Sequence, residues 1–429
     1  MNQTDYRSIL RSVFDAAVAS AQPERCLPPY FPAVPANGRL IVLACGKAGA
    51  AMARAAEAHY ADAIAQGVCS GLAVTRRGYG LPLAHFALME ASHPVPDQSS
   101  ADAAIRALDL AGGAREGDLV LALMSGGASA LWAAPADGLT LSEKQDLTRA
   151  LLKAGAPIGA INCVRKHLSR IKGGRLARAA FPARVVTLAI SDVPGDAPDT
   201  IGSGPTVPDT TTLADARGYL ERYGVKPAAP VAAALADPAN ESPKPGDAVF
   251  ADSEFILAGA PKMALDAAAA ALAGRGYETV LLGDALEGEA RDVAVAHAGL
   301  ALEARKTGRR TAILSGGELT VTIAGDGRGG PNQEYALALA IALGGAAGIH
   351  AMAADTDGSD GGSGGTDDPA GAIVAPDTLG RALAKGQNAE VFLRKNDSTG
   401  FFEMLDDLIV SGPTYTNVND LRVILVDPA

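Results

Sequence analysis

The chain has 429 residues, a formal net charge of −11, 48% hydrophobic residues and 20% charged residues. A single hydrophobic core rarely extends over so long a chain, so we expect two domains. The acidic balance argues against general nucleic-acid binding, which requires a basic face. No apolar run approaches the roughly 20 residues of a membrane-spanning helix. With four cysteines that lack metal-binding or CxxC spacing, the composition predicts a cytoplasmic protein without a membrane partner.

Helices and strands are predicted to alternate along the first half of the chain. Hydrophobic spacing predicts a first helix over Asp5–Ala21, and a proline-rich connector follows it. The alternation then predicts the strand Arg39–Ala44, the helix Ala48–Ala63, the strand Leu119–Met124, the helix Ser142–Ala154, a basic helix over Val164–Leu176 and the strand Arg184–Ile190. The segment Lys226–Pro245 is rich in proline and alanine and is the best candidate for a linker.

The same alternation resumes after the linker. Predicted elements there are Phe255–Leu257, Pro261–Ala273, Thr279–Leu282, Glu289–Thr307, Thr311–Leu314, Leu319–Ala324, Gln333–Leu343, His350–Ala354 and Leu421–Val426. Strands that alternate with helices predict mainly parallel sheets covered on both faces. The adjacent strands Thr311–Leu314 and Leu319–Ala324 suggest some antiparallel pairing. We therefore expect an α/β protein with a Rossmann-like domain over residues 1–235 and a mixed-sheet domain over 246–429.

Two near-identical turns follow buried strands, one in each half of the chain. Leu119–Met124 runs into Ser125, Gly126 and Gly127, and Thr311–Leu314 runs into Ser315, Gly316 and Gly317. Such turns leave backbone N–H groups open to an anion. Ligands of parallel sheets bind beyond the carboxyl ends of the strands. Because polar clusters also follow several other strands, the pattern indicates an enzyme more than a set of ordinary turns.

The turn around Lys47 joins a strand to a helix, where an anion is favoured. Its sequence does not meet the dinucleotide-binding glycine pattern, and an exposed lysine is the alternative interpretation. Ser125 could act as a nucleophile, but the Gly-x-Ser-x-Gly pattern is absent. Anion binding by the backbone is therefore preferred to attack by serine.

Basic residues cluster in two further places. Arg165, Lys172 and Arg175 belong to a basic run that could face a ligand or form a solvated helical face. Arg328 lies in a glycine-rich loop, and its planar guanidinium suits a carboxylate or a phosphate. The alternative for Arg328 is the exposed tip of a hairpin.

Acidic loops follow two strands and suit magnesium. Asp192 lies in the first of these loops, and Asp355 and Asp357 lie in the second. Mg²⁺ prefers one or two carboxylates together with water and phosphate. A flexible linker is the alternative for the glycine-rich part of the second loop.

Taken together, these blocks resemble the class II glycerate kinases, the glycerate 2-kinase family. Its carboxyl-terminal MOFRL module is matched by Ser315–Glu318, Gly327–Glu334 and Asp355–Gly358. The amino-terminal module is matched by Gly46–Ala48, Ser92–Asp97, Ser125–Leu131, Val164–Arg175 and Ser191–Asp209. The resemblance covers essentially the whole chain, with the blocks in the right order.

The resemblance implies two α/β domains with the active site in the cleft between them. It also implies transfer of the γ-phosphoryl group of ATP to the 2-hydroxyl of D-glycerate, with Mg²⁺ as cofactor. The family's catalytic lysine and arginine fall on Lys47 and Arg328, and we add Asp192 as a catalytic carboxylate. Besides the residues already given, we expect Ser129, Glu318, Asn332 and Glu334 to bind substrate or nucleotide.

The sequence leaves two other functions open. Members of this family have also been labelled hydroxypyruvate reductases, which would require NAD(P)H, but the nicotinamide-binding fingerprint is missing. A non-catalytic sensor of small anions is the other alternative. The expected partners are D-glycerate and a nucleotide, with no nucleic acid and with a homodimer as the oligomer to test.

Overall fold

The structure is a computed structural model that describes residues 3–361 and 367–428. The strands are β1 (Leu40–Cys45), β2 (Cys69–Arg76), β3 (Ala87–Ala91), β4 (Leu119–Ser125), β5 (Arg184–Ile190), β6 (Glu254–Gly259), β7 (Glu278–Leu281), β8 (Gly288–Glu289), β9 (Thr311–Ser315), β10 (Leu319–Thr320), β11 (Ile349–Asp355), β12 (Gly371–Val374), β13 (Leu408–Ile409) and β14 (Asp420–Val426).

The helices are α1 (Gln3–Ser20), α2 (Pro23–Cys26), α3 (Gly49–His59), α4 (Ala61–Ala65), α5 (Gln98–Gly112), α6 (Ala128–Leu131), α7 (Leu141–Lys153), α8 (Ile158–His167), α9 (Arg175–Ala180), α10 (Leu213–Arg222), α11 (Ala229–Ala236), α12 (Pro261–Ala273), α13 (Ala290–Lys306), α14 (Pro331–Leu343), α15 (Thr378–Ala384), α16 (Ala389–Arg394) and α17 (Ser398–Leu405). None of the helices within the described ranges is long and apolar enough to cross a membrane.

The chain forms two compact units. One comprises Cys26–Ala258 and is called the parallel-sheet domain below. The other comprises Met1–Arg25 together with Gly259–Ala429 and is called the mixed-sheet domain.

The parallel-sheet domain contains a six-stranded sheet in the order β3-β2-β1-β4-β5-β6. Strands β1 to β5 pair in parallel, and every residue of β1 and β4 is buried. Continuous apolar runs are expected of strands that helices cover on both faces. The order reverses between β1 and β4, which places the ends of these two strands next to each other.

The mixed-sheet domain contains a six-stranded sheet in the order β13-β12-β11-β14-β9-β7. β7 and β9 are parallel, whereas β14 is antiparallel to both β9 and β11. Its core includes buried residues of α13, α14 and α17 packed against these strands. The prediction of two α/β domains, one with a mainly parallel sheet and one with a mixed sheet, is confirmed.

Several predicted elements differ from the structure, and the segment Lys226–Pro245, predicted as a linker, contains helix α11 and belongs to the parallel-sheet domain. The strands around Thr311–Leu314 and Leu319–Ala324 do not pair with each other, since β10 pairs in parallel with β8 and β9 pairs with β7 and β14. The basic helix predicted over Val164–Leu176 is divided into α8 and α9. The intervening turn contains Gly173 and Gly174 with φ of +57° and +78°, which a helix does not accommodate.

The first helix packs with the mixed-sheet domain, although the predicted boundaries place it in residues 1–235. α1 lies against α12, and the Thr416 hydroxyl donates a 2.7 Å hydrogen bond to the carbonyl of Ala21. The ring of Tyr6 in α1 stacks on His350 in β11, with ring centroids 3.6 Å apart. Sequence order does not reveal this arrangement, because the contacts join opposite ends of the chain. The boundaries 1–235 and 246–429 themselves stay a prediction.

We predict that His350 makes the mixed-sheet domain sensitive to acid. Burial lowers the pKa of His350 to about 4 from 6.5, so between these values only the unfolded chain binds the proton. The free energy of unfolding should therefore fall as the pH drops from about 6.5 towards 4. His350→Phe should keep the stack on Tyr6 and weaken this dependence. Thermal unfolding between pH 4 and 7.5 measures this pH dependence. Each kcal/mol of stability that is lost should lower the unfolding midpoint by roughly 2–4 °C.

His59→Phe is the matched control, because His59 is exposed and lies in the parallel-sheet domain. His297 should retain part of the pH dependence in both variants, since burial also lowers its pKa to about 4. If the pH dependence of unfolding is the same in His350→Phe as in the unmodified protein, His350 is not a source of the acid sensitivity.

Candidate active site

Two turns meet at the point where the strand order of the parallel-sheet domain reverses. The backbone N–H of Lys47, after β1, donates to the carbonyl of Gly126, after β4, at 2.7 Å. The N–H of Ala48 donates to Ser125 Oγ at 3.0 Å. Ligands of open α/β sheets bind at such a reversal. These contacts therefore define a candidate site at the ends of β1 and β4.

Two glycines allow these turns to approach each other. Gly46 has φ of +137°, and a Cβ atom there would lie 2.0 Å from Ser125 Oγ. Gly127 has φ of +82°, and a Cβ atom there would lie 3.0 Å from the His93 ring and 3.4 Å from Lys47 Cγ. Side chains at these positions would displace their neighbours. The bare backbone at Gly127 thus brings Lys47 and His93 close to the same turn.

Ser125 holds the Lys47 turn in place. Its side chain is fully buried, and its hydroxyl oxygen accepts the hydrogen bond from the Ala48 N–H. A nucleophilic serine would instead need a base beside it and access to the substrate. The geometry favours a supporting role for Ser125, with Lys47 and the backbone of Gly126 and Gly127 left to meet a ligand.

Ser129 lies at the centre of a cluster of basic side chains. Arg165 Nη2 donates to Ser129 Oγ at 3.0 Å, and Lys172 Nζ donates to the Ser129 carbonyl at 2.7 Å and to its Oγ at 3.1 Å. The hydroxyl of Ser203 is 2.7 Å from the same Oγ. Three residues proposed from the sequence, Ser129, Arg165 and Lys172, are therefore brought together.

A further lysine, Lys144 of α7, lines the same region. Ser129, Lys144, Arg165 and Lys172 all border a cavity of about 530 Å³. Lys144 is only 6% exposed, and its Nζ has no hydrogen-bond partner among the residues that the structure describes. Sequence analysis missed Lys144, because a lysine within an amphipathic helix is normally exposed.

The electrostatic state of this cluster favours an anion. Burial and the charges of Arg165 and Arg175 hold the pKa of Lys144 well below its usual value. Burial, Arg165 and Lys144 do the same to the pKa of Lys172. Burial also lowers the pKa of Arg165. Cations that are removed from water and placed together are costly unless a negative charge compensates them.

Arg175 is placed differently from the other predicted basic residues. Its Nη1 donates to the carbonyls of Lys166 at 2.7 Å and Lys172 at 3.2 Å, and its Nη2 donates to the carbonyl of Asn240. These bonds hold the turn between α8 and α9. Arg175 therefore supports Lys172, and its own guanidinium is occupied by backbone oxygens.

Asp192 lies at the same edge of the sheet as the two turns. It follows Ile190, the last residue of β5, and Ile190 pairs with Ser125 in the adjacent parallel strand. Asp192 is half-buried. This register is consistent with a carboxylate beside the candidate site.

In the mixed-sheet domain, the Ser315–Gly317 turn is held by a buried arginine. Arg422 Nε donates to Ser315 Oγ at 3.1 Å, and its Nη2 donates to the carbonyls of Gly316 and Gly317. Gly317 has φ of +91°, and a Cβ atom there would lie 2.2 Å from the backbone of Leu286. The turn is thus tightly packed, and the next residue, Glu318, is exposed.

Asn332 and Glu334 belong to a buried network at the start of α14. Asn332 Nδ2 donates to Asp360 Oδ1 at 3.1 Å and to Asp420 Oδ1 at 2.7 Å. Glu334 is ion-paired with Arg291. Both predicted side chains are about 1% exposed. Their contacts favour a role in holding the loops, and direct ligand binding would require rearrangement.

Arg328 combines a fixed backbone with an exposed side chain. Its N–H donates to Asp397 Oδ1 at 3.2 Å, and its carbonyl accepts from the Thr399 N–H at 2.9 Å. Its side chain is 64% exposed and pairs with Glu403 at 2.7 Å. An exposed ion pair contributes only about 0–1 kcal/mol, so the guanidinium can exchange Glu403 for another anion at small cost.

Asp355 and Asp357 lie in one turn after β11. The Asp357 N–H donates to Asp355 Oδ1 at 2.9 Å, and the Ser359 N–H donates to Asp357 Oδ1 at 2.8 Å. Asp357 is buried and Asp355 is half-buried. Within residues 3–361 and 367–428, no group of three or more His, Cys, Asp or Glu side chains is arranged to hold a metal ion. The glycine-rich sequence that follows this turn, residues 362–366, lies outside the described residues.

Comparisons with known proteins agree with the sequence motifs. A family model described as a domain of unknown function, DUF4147, matches residues 9–236, and the MOFRL family model matches residues 311–420. A D-glycerate 2-kinase from Thermotoga maritima is 38% identical over 96% of this chain and 96% of its own length. A protein from Agrobacterium vitis with the provisional name hydroxypyruvate reductase is 48% identical over 99% of this chain and 95% of its own.

A solved structure gives the same result. The crystal structure of glycerate kinase from Thermotoga maritima matches with a TM-score of 0.88 and 37% identity, and covers 99% of this chain and 100% of that one. The fold and the strand-end turns thus define a two-domain α/β enzyme of the kinase class. The chain belongs to the class II glycerate kinase family, in which a DUF4147 domain precedes a MOFRL module.

We predict that Arg175→Gln lowers stability, because it removes hydrogen bonds to three backbone carbonyl groups, two of them at buried residues. Bonds that involve a charged group contribute about 1.5–3 kcal/mol, so the free energy of unfolding of the parallel-sheet domain should fall by about that amount. Denaturant unfolding measures the change. Arg178→Gln is the control, since Arg178 is an exposed neighbour on α9. Equal stability of the two variants would contradict the supporting role of Arg175.

Proposed function

We propose that the chain is a glycerate 2-kinase that transfers the γ-phosphoryl group of ATP to the 2-hydroxyl of D-glycerate. The observation that carries the proposal is the Lys47 turn, which is hydrogen-bonded to the Ser125–Gly127 turn beside the half-buried Arg165 and the buried Lys172. Phosphoryl transfer requires mainly positioning and neutralisation of charge. Relatives named glycerate 2-kinase, at 37–38% identity, support the same reaction.

In this proposal the oxygen of the 2-hydroxyl attacks the γ-phosphorus, and the bond from that phosphorus to the bridging oxygen breaks to release ADP. Lys47 and Arg328 neutralise the charge on the transferred group, and Asp192 takes the hydroxyl proton. The backbone N–H groups of Gly126 and Gly127 bind phosphate or carboxylate oxygens. Placement of the site in a cleft between the domains is part of the proposal.

Mg²⁺ completes the proposal. Asp355 and Asp357 lie in one turn, in which a backbone N–H donates to one oxygen of each carboxylate. A pair of carboxylates is a suitable donor set, because Mg²⁺ takes its remaining ligands from water and phosphate. Asp355, Asp357 and Asp192 are the proposed holders, and the ion would neutralise charge on the phosphates. Cytoplasmic location and a homodimer stay predictions.

Hydroxypyruvate reductase is the second candidate, since the Agrobacterium vitis relative carries that name. The turn after β1 has Lys47 at the middle position of the dinucleotide-binding glycine pattern and lacks the third glycine of that pattern. The missing pattern argues against a site for NAD(P)H at this turn.

A coupled assay separates these functions. We expect ATP, Mg²⁺ and D-glycerate to give a product that enolase accepts directly, as 2-phosphoglycerate does, whereas 3-phosphoglycerate would first need a mutase. Oxidation of NADH with hydroxypyruvate, without use of ATP, would establish the reductase instead. Binding of D-glycerate, without turnover of D-glycerate or hydroxypyruvate, would indicate a non-catalytic sensor of small anions.

We predict that Arg328→Ala reduces kcat at least a hundredfold. Arginines that act on the transition state of phosphoryl transfer contribute roughly 10³–10⁵ in rate. Steady-state kinetics in the enolase-coupled assay measure the effect. Glu403→Gln, which removes only the exposed partner of Arg328, is the control and should stay close to the unmodified enzyme. A near-normal kcat in Arg328→Ala would remove Arg328 from the mechanism.

A further inference from the structure

The cavity beside Ser129 has a charged part and an apolar part. Its charged wall includes Lys144, Arg165 and Lys172. The apolar part of the lining includes Pro94, Val95, Pro96, Leu141 and Leu152, and the exposed Arg149 also borders the cavity. Val95 is 62% exposed and Leu152 is 59% exposed, so the apolar part faces solvent. A ligand that is polyanionic at one end and apolar at the other matches this division.

Lys144 is the residue whose state demands an explanation. Its amino group is buried and lacks a hydrogen-bond partner among the described residues. An unsatisfied buried donor destabilises the fold, and more so if it is charged. A lysine kept only for packing could be replaced by an apolar residue at no loss. The unpaired, buried amine therefore points to a negative charge that is supplied from outside the chain and favours the protonated form.

The number of cations favours a polyphosphate over a carboxylate. Lys144, Arg165 and Lys172 border one cavity, and a single carboxylate carries one negative charge. The di- or triphosphate of a nucleotide carries several negative charges and can compensate all three cations. The three-carbon acceptor is also too small and too polar to use the apolar wall, whereas a purine base fits such a surface.

The cavity is also connected to the Lys47 turn through the chain. Ser129 borders the cavity and belongs to α6, which begins directly after Gly127. A Cβ atom on Gly127 would lie 3.4 Å from Lys47 Cγ. A phosphate chain that begins at Arg165 and Lys172 can therefore extend along Ser129 and Gly127 towards Lys47.

We propose that this cavity in the parallel-sheet domain binds the nucleotide, with Lys144 as an additional cation for its polyphosphate and the apolar wall for its base. The identity of the ligand rests on the proposed kinase function. The binding of a polyphosphate to these three cations does not depend on turnover.

Lys144→Met tests the proposal, because methionine keeps much of the side-chain volume and removes the amine. Isothermal titration of the full-length chain with ADP, inorganic tripolyphosphate and D-glycerate gives three dissociation constants. We expect the constants for ADP and tripolyphosphate to rise at least about tenfold, as loss of a charge-assisted contact implies, while that for D-glycerate changes less than about twofold. The thermal midpoint of the unliganded variant should be unchanged or higher, since an unpaired buried donor has been removed.

Lys153→Met is the matched control, because Lys153 lies on the same helix and is exposed. If Lys144→Met does not fold, Arg165→Gln at the half-buried neighbour provides the same test. Unchanged binding of ADP and tripolyphosphate would overturn the proposal, and so would weakened binding of D-glycerate alone. ADP binding that depends on Lys144, without formation of 2-phosphoglycerate, would retain the site and reject the kinase assignment. Formation of 2-phosphoglycerate at a rate that Lys144→Met does not change would retain the kinase assignment and reject the nucleotide site.

Discussion

Backbone groups at the end of a buried strand must find hydrogen-bond partners, and each domain satisfies this requirement with one buried polar side chain. In the parallel-sheet domain the Ser125 hydroxyl accepts from the turn that carries Lys47. In the mixed-sheet domain Arg422 donates to the carbonyls of the Ser315–Gly317 turn. The position of Lys47 depends on the first contact, and the packing of the second turn on Leu286 depends on the other.

The two Ser-Gly-Gly turns show how far sequence analysis can reach. Their position after buried strands could be predicted, because a run of apolar residues that ends in glycines is a local signal. Their different surroundings could be predicted only in part. The contact between Arg422 and Ser315 joins residues that are far apart in sequence and close only in the antiparallel pairing of β14 and β9. Local patterns do not carry this information.

Other differences between the predicted and the observed structure also involve contacts between residues that are distant in sequence. The position of α1 follows from its packing on α12 and from Tyr6 on His350, none of which is a local property. The division of the basic helix could have been predicted from Gly173 and Gly174, which interrupt the helical pattern. Lys144 could not have been predicted, because only the folded structure shows that its side of α7 borders a cavity.

The buried charged groups around the predicted site residues differ between the two domains. The parallel-sheet domain buries basic side chains around Ser129, whereas the mixed-sheet domain buries the carboxyl groups of Asp360 and Asp420. Burial raises the pKa of Asp360 to about 7, and its oxygens accept from the N–H groups of Asn332 and Gln333. These carboxyl groups are therefore used to fix α14, and the basic cluster is the better prepared of the two to receive a phosphate group.

Arg328 differs from the buried basic residues around Ser129, because its side chain is exposed. Its backbone is fixed by Asp397 and Thr399, but among the described residues its guanidinium is held only by the exposed carboxylate of Glu403. An interaction that is equally strong in the ground state and in the transition state lowers KM without raising kcat. An arginine that exchanges a weak partner for a developing charge stabilises the transition state selectively. In the proposed function, the buried lysines would bind the ground state and Arg328 would stabilise the transition state.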